Sequence, residues 1–337
     1  MAPIAFGAAP SNHSRRARAP TMSARQIARN EPNAIPATRQ PAMTDPARCA
    51  RSALGRQETP FERREDSMTL STVGFIGLGA MGEPMAANLL RAGIDVISCA
   101  NRSREPIERL AADGLREVAD PAAVGAEADV VMTVVWDEEQ NDRVLRGAGG
   151  AIAAMKPGGV VIVMSTVSPT YCKELAAEAA KSDITVLDCP ISGMVQGAID
   201  GTLTLMVGGA TEDVERCRAV LEPMGTVSHC GPVGTGQVMK LGNNAMVIGT
   251  FRLIMEVRNM VVAQGMDLDT FMEYLNRSTG RSFVSESMPL PRKPITLTGM
   301  PVKDMRRCVA AAEEVGTAMP MVTTLLEAGA DDNEGPG

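Results

Sequence analysis

A doubly wound α/β domain with a parallel sheet is what this 337-residue sequence predicts, on three observations. A glycine-rich turn, Gly77-Leu78-Gly79-Ala80-Met81-Gly82, sits between an apolar strand-like run and a helix-like segment. From there to about residue 230, short apolar runs alternate with amphipathic stretches, as strands and helices alternate in such sheets. The alternation then stops near Gly231, and a long helical pattern takes over.

Strands are expected at 72–76, 95–99, 129–135, 159–164, 184–188 and 203–207. Helices are expected between them at 82–92, 104–113, 121–126, 139–146, 169–181 and 211–223. The run Asp129-Val130-Val131-Met132-Thr133-Val134-Val135 is apolar without alternation, as a strand buried on both faces is. Strand, G-x-G-x-x-G and helix in that order form a dinucleotide-binding fingerprint. Gly77 permits the tight turn, Gly79 carries no side chain to hold a pyrophosphate away, and Gly82 lets helix and strand approach. The phosphates then meet unpaired N–H groups at the helix N-terminus. An acid about 20 residues on would favour NAD. Here the second strand leads into Ala100-Asn101-Arg102-Ser103-Arg104, with no carboxylate. Arg102 can pair with a 2′-phosphate, helped by Asn101 and Ser103, with Arg104 a further candidate, so NADP(H) is favoured and NAD(H) is possible.

Residues 1–67 are different in kind. They hold eleven arginines, no lysine and six acids, a net +5 in a chain whose total is −7, so that residues 68–337 carry −12. Frequent prolines and no hydrophobic period predict disorder. Six acids fit a transit peptide poorly, and the expectation is a mis-assigned start, with translation beginning at Met68. Seven cysteines show no C-x-x-C pair and read as core residues of a reducing compartment, which predicts a cytoplasmic protein. Two histidines, His13 and His229, exclude a histidine-rich metal site, and His229 reads as a structural loop residue. No apolar run reaches membrane-spanning length, and neither membrane nor nucleic acid is an expected partner.

Two further motifs carry chemistry. Ser192-Gly193 closely follows the strand ending at Asp188, and a hydroxyl beside free backbone N–H groups can cradle a carboxylate, although Ser-Gly alone also marks an ordinary turn. Gly234-x-Gly236-x-x-x-Lys240-x-x-Asn243-Asn244 opens a helix expected over 237–264, apolar nearly all round and hence buried on most sides, against the second domain or a second subunit. Lys240 and Asn244 are i and i+4 on one face. A lysine buried there has its pKa lowered toward the range of a general acid/base; a lysine reaching out to solvent is the equal alternative. Helical stretches at 267–276 and 301–327 follow.

Together these residues resemble the 3-hydroxyisobutyrate dehydrogenase (β-hydroxyacid dehydrogenase) family. The likeness runs from Gly74-Phe75-Ile76-Gly77 through Ser165-Thr166, Asp188-Cys189-Pro190-Ile191-Ser192-Gly193 and Gly201-Thr202-Leu203-Thr204 to Lys240, Asn243-Asn244 and Lys303-Asp304. The resemblance implies a Rossmann domain over 70–232, an all-helical substrate and oligomerisation domain over 233–329, and a homodimer or homotetramer. It implies hydride transfer between a nicotinamide cofactor and a small 3-hydroxy acid or its semialdehyde, such as 3-hydroxyisobutyrate or tartronate semialdehyde. Lys240 would be the proton donor or acceptor, Asn244 would orient the substrate, and Ser192 and Gly193 would hold its carboxylate. Val135, Gln140, Thr166 and Lys303 would line the cofactor cleft.

The chain departs from the family at Met194, where a second glycine is usual, and at Trp136. It also departs over 282–303, which looks short, and at its end, where 330–337 replaces a final helix. Two alternatives stay open. An imine or other C=N reductase is one, against which Lys240 argues. The other is a non-catalytic NADPH-binding module with a degraded substrate site.

Overall fold

The computed structural model describes residues 70–288 and 299–331, with side chains to residue 328. The leader at 1–67, residues 289–298 within the short stretch and the end at 332–337 lie outside the described residues.

The first half alternates as β1 (Thr72–Ile76), α1 (Gly82–Arg91), β2 (Asp95–Cys99), α2 (Glu105–Ala111), β3 (Arg116–Val118), α3 (Pro121–Glu127), β4 (Val130–Thr133), α4 (Glu138–Leu145), α5 (Ala151–Ala154), β5 (Val160–Val163), α6 (Pro169–Ala179) and β6 (Thr185–Asp188). It continues through β7 (Ile191–Ser192), α7 (Met194–Asp200), β8 (Leu203–Gly208), α8 (Thr211–Leu221) and β9 (Gly225–Gly231). The sheet order is 3-2-1-4-5-6-8-7, with β9 paired to β8. Strands β3 to β6 along that order are parallel, and β8 reverses direction against β6. Chain order therefore reverses between β1 and β4, where open α/β sheets bind ligands beyond their carboxyl ends.

The central strands face two layers. Val130, Met132, Val160 and Ile162 join the cluster under α1 and α8 with Met85, Leu89, Val214 and Cys217. Val131, Val161 and Val163 point to the other face, against Val124, Cys172 and Leu175. Successive side chains alternate across a strand, so continuous valine is what a strand covered on both faces requires.

The helical half holds α9 (Thr235–Ala263), α10 (Leu268–Asn276), α11 (Phe283–Ser287), α12 (Met300–Glu313) and α13 (Pro320–Asp331). Its small core gathers Phe251, Ile254, Met255 and Val284.

Three expectations need correction. The stretch 301–327 is two helices: Gly316 at φ +70° ends α12, with the Thr317 N–H returning to Ala312 O at 2.9 Å, and Pro320 opens α13. Helix therefore continues past residue 327 as far as Asp331. His229 lies in strand β9 rather than a loop, its Nε2 2.9 Å from Gly209 O. Within this chain alone, Met239, Met246, Leu253 and Met260 on the long helix are each more than half exposed.

The glycine turn has a steric cause. A Cβ on Gly82 would lie 1.9 Å from Gly77 O, and one on Gly77, at φ +108°, 2.3 Å from Val134 O. Gly82→Ala should therefore push α1 off β1 and cost about 1–3 kcal/mol, read as a lower urea midpoint with an unchanged slope.

Candidate active site

The loops after β1 and β4 meet backbone to backbone, with the Val134 N–H donating to Ile76 O at 2.9 Å. Gly77, Leu78, Gly79, Ala80 and Met81 form the turn into α1, and no side-chain oxygen caps that helix. A Cβ on Gly79 would meet nothing within 4 Å, so this side of the turn is open. Uncapped N–H groups beside open space are what a pyrophosphate needs, so the residues present fit a dinucleotide. Asn101, Arg102 and Ser103 are exposed beyond β2. Arg104 pairs with Glu117 at 2.5 Å, whereas the Arg102 guanidinium has no hydrogen bond or ion pair among the described residues.

Beyond β4, the Val135 N–H donates to Ser165 Oγ at 2.9 Å, and the Trp136 N–H to Gln140 Oε1 at 3.2 Å. Asp137 caps α4 through the Gln140 N–H at 2.9 Å. Thr166 is half-buried at the end of β5, between residues that both bond to Gln237: Gln237 Nε2 donates to Ser165 O at 2.9 Å, and the Val167 N–H donates to Gln237 Oε1 at 3.1 Å.

Helix α9 starts on a buried anion. Asp188, at the carboxyl end of β6, is fully buried and accepts the Gly234 N–H at 2.6 Å and the Gln237 N–H at 2.8 Å. One turn on stands Lys240, half-buried, with no hydrogen bond or ion pair among the described residues. Burial lowers its pKa below the usual lysine value; the Asp304 carboxylate works against this and the Lys303 ammonium adds to it. On the same face Asn244 Nδ2 donates to Asp304 Oδ2 at 2.7 Å.

Helix α12 brings the remaining charges. Asp304 is 2% exposed, and its Oδ1 makes no hydrogen bond but lies 3.7 Å from Lys303 Nζ. Lys303 donates to Trp136 O at 2.7 Å, and its ammonium lies 4.7 Å from the centre of the Trp136 ring. Burial lowers the Lys303 pKa as well, against the pull of Asp304. Arg307 grips Glu138 through both carboxylate oxygens.

The structure thus gathers Lys240, Asn244 and Lys303 about Asp304, and Lys303 reaches Trp136 in the loop that holds Val135, just before Gln140 on α4. Ser192 ends β7, which pairs with β8, Gly193 follows it as the residue before α7, and α9 packs against β8. No hydrogen bond joins either residue to Lys240 or Asn244 among the described residues. Met194 has φ +58° and is 55% exposed, so the side chain that replaces the usual glycine turns largely to solvent. Sequence reasoning assigned no role to Asp304, Asp188, Gln237 or Glu138. The signal for Asp188 was present: it is an acid closing an otherwise apolar central strand.

Residues 72–236 match the family described as the NAD binding domain of 6-phosphogluconate dehydrogenase. Residues 234–331 match that described as NAD-binding of NADP-dependent 3-hydroxyisobutyrate dehydrogenase. A probable mitochondrial 3-hydroxyisobutyrate dehydrogenase of Dictyostelium discoideum is 39% identical over 216 residues, 64% of this chain and 67% of that protein. The NAD-dependent L-serine dehydrogenase of Pseudomonas aeruginosa is 34% identical over 218 residues, 64% of this chain and 73% of that protein. Among solved structures, Mycobacterium tuberculosis 3-hydroxyisobutyrate dehydrogenase with L-serine superposes with a TM-score of 0.70 at 30% identity, covering 78% of this chain and 93% of that one.

Asp304→Asn removes the carboxylate that holds the Lys240 pKa up. Burial and Lys303 then act unopposed, and the neutral amine persists to lower pH. The pH dependence of acylation at Lys240, followed by mass spectrometry, should move to lower pH in this variant. A profile that stays in place would show that Asp304 does not act on Lys240.

Proposed function

The chain belongs to the 3-hydroxyisobutyrate dehydrogenase family of NAD(P)-dependent hydroxyacid dehydrogenases, and we propose that within it this protein interconverts a small 3-hydroxy acid and its semialdehyde with a preference for NADP(H). The observation that carries the reading is the Lys240 ammonium, half-buried, without a hydrogen bond or ion pair among the described residues and lowered in pKa, one helical turn beyond a buried anchor. The nicotinamide, when bound, supplies or accepts the hydride at the reacting carbon.

The chain's own residues do the rest. In reduction Lys240 gives a proton to the carbonyl oxygen; in oxidation it takes the hydroxyl proton. Asn244, held by Asp304, orients the reacting oxygen. Ser192 and the backbone beside Gly193 receive the substrate carboxylate. Gly77, Gly79 and Gly82 open the α1 N-terminus to the pyrophosphate, and Arg102 with Asn101 and Ser103 takes the 2′-phosphate. Val135, Gln140, Thr166 and Lys303 line the cleft.

The same reading includes a homodimer or homotetramer. Met239, Met246, Leu253 and Met260 repeat every seven residues along the exposed face of α9, the spacing with which one helix seats against another.

Two measurements test the function. Lys240→Ala should lower kcat by about 10²–10⁴-fold with short hydroxy acids or aldehydes. In the parent, aldehyde reduction should be lost as pH rises through the lowered lysine pKa, and alcohol oxidation gained. Equal turnover by parent and variant would remove Lys240 from the chemistry. Separately, Arg102→Ala should lower kcat/KM for NADPH by about ten- to hundredfold and leave NADH kinetics little changed. A parent that clearly prefers NADH would refute the cofactor assignment.

A further inference from the structure

Gln237 is fully buried on a helix whose other inward residues are mostly apolar. An amide in that position costs desolvation unless all its polar atoms are paired. Two bonds of its amide go to one short segment, to Ser165 O at 2.9 Å and from the Val167 N–H at 3.1 Å, with the Cys172 thiol of α6 beside it. The partners fix the orientation of the amide, because a carbonyl accepts only from the NH2 and an N–H donates only to the oxygen. The two peptide groups flanking Thr166 are therefore clamped by one side chain. Ser165 also takes the Val135 N–H on its hydroxyl at 2.9 Å, so the clamp extends to the loop after β4. On its own helix Gln237 is tied by its N–H to Asp188 at 2.8 Å, which fixes how far α9 can slide or rotate. Lys240 lies three residues on, the next position along the same face.

We propose that Gln237 is a positioning residue: it straps the helix that carries Lys240 to the segment that carries Thr166, and so sets where the proton donor stands relative to the nicotinamide. The assignment rests on the dehydrogenase reading above. Gln237 touches neither substrate nor cofactor in this role and acts through the two residues that it holds in register. A hydrocarbon of equal length would fill the space but free both peptide groups, and small misplacements of a catalytic group cost far more rate than binding.

The test compares the parent with Gln237→Met, which keeps the volume and removes both bonds. Gln237→Glu, which keeps the acceptor for the Val167 N–H, replaces it if the first variant does not fold. Three quantities are read: kcat and its primary isotope effect with 4-deuterated NADPH, the Kd of NADPH, and deuterium uptake of the 164–168 and 238–241 peptides. We expect kcat to fall by about ten- to hundredfold and the isotope effect to grow. NADPH affinity should hold, and exchange should quicken in both peptides together. Parent-like kcat in Gln237→Met would show that volume, not the strap, is what matters, and would overturn the proposal. So would exchange that quickens in only one of the two peptides, or a loss of NADPH affinity in step with kcat. A parent that turns over no hydroxy acid or aldehyde would instead sink the dehydrogenase reading, and the exchange measurement would then decide the strap by itself.

Discussion

The start of α9 on the carboxylate of Asp188 is the constraint from which the rest of the site follows. The first N–H groups of a helix have no partners within it and carry the positive end of its dipole. Here a buried anion takes them: Asp188 accepts from Gly234 and Gln237. Burial pushes its carboxyl up, and the backbone N–H groups pull the other way. The fit leaves no slack. A Cβ on Gly236 would lie 2.2 Å from Met206 O and 2.8 Å from the Asp188 carboxylate, and one on Gly208 2.3 Å from that same carboxylate. The two glycines thus admit the acid, the acid fixes the helix, and the helix fixes Lys240 and Asn244.

A second set of polar contacts closes the site from the other side. Helix α12 reaches the loop after β4 through Lys303 on Trp136 and Arg307 on Glu138, and its end reaches α6 where Thr170 donates to Glu314 at 2.5 Å. These ties set Asp304 beside both Lys240 and Lys303, one carboxylate for two ammonium groups. Asp137 and Glu138 also act on Lys303, so the cluster is a network of mixed charge.

The parts legible in the sequence were those that local rules govern. β1, β2, β4, β5, β6 and β8 are apolar runs bounded by turns, and the glycine turn announces itself by spacing. β3, β7 and β9 were missed because three- and two-residue strands carry no period, and because Thr226, Ser228 and Cys230 dilute the apolar signal of an edge strand. Lys240 and Asn244 could be paired from helical spacing. Their link to Asp304 could not, because Asn244 and Asp304 lie 60 positions apart and meet only through the docking of α12. Gln237 was invisible for the same reason: its partners are 70 and 72 residues away. The all-round apolar pattern of α9 says that the helix will be covered, but not by what, and its own chain leaves the face of Met239, Met246, Leu253 and Met260 exposed.

Met194 shows how such a site can change without loss of the frame. Its left-handed backbone, φ +58°, costs an L-residue with a Cβ about 1–2 kcal/mol, and glycine would hold the same turn freely. The conformation is kept because its neighbours dictate it. Gly193 at φ +138° packs against Leu203, β7 is hydrogen-bonded to β8, and α7 is tied to α1 where Asn88 Nδ2 donates to Ala198 O at 2.7 Å. The backbone that would receive a carboxylate is thus set by the sheet and by α7, independently of the side chain at 194. The Met194 side chain itself is more than half exposed. The strain it brings is borne by the turn, while Lys240, held through Asp188, is left where the long helix puts it.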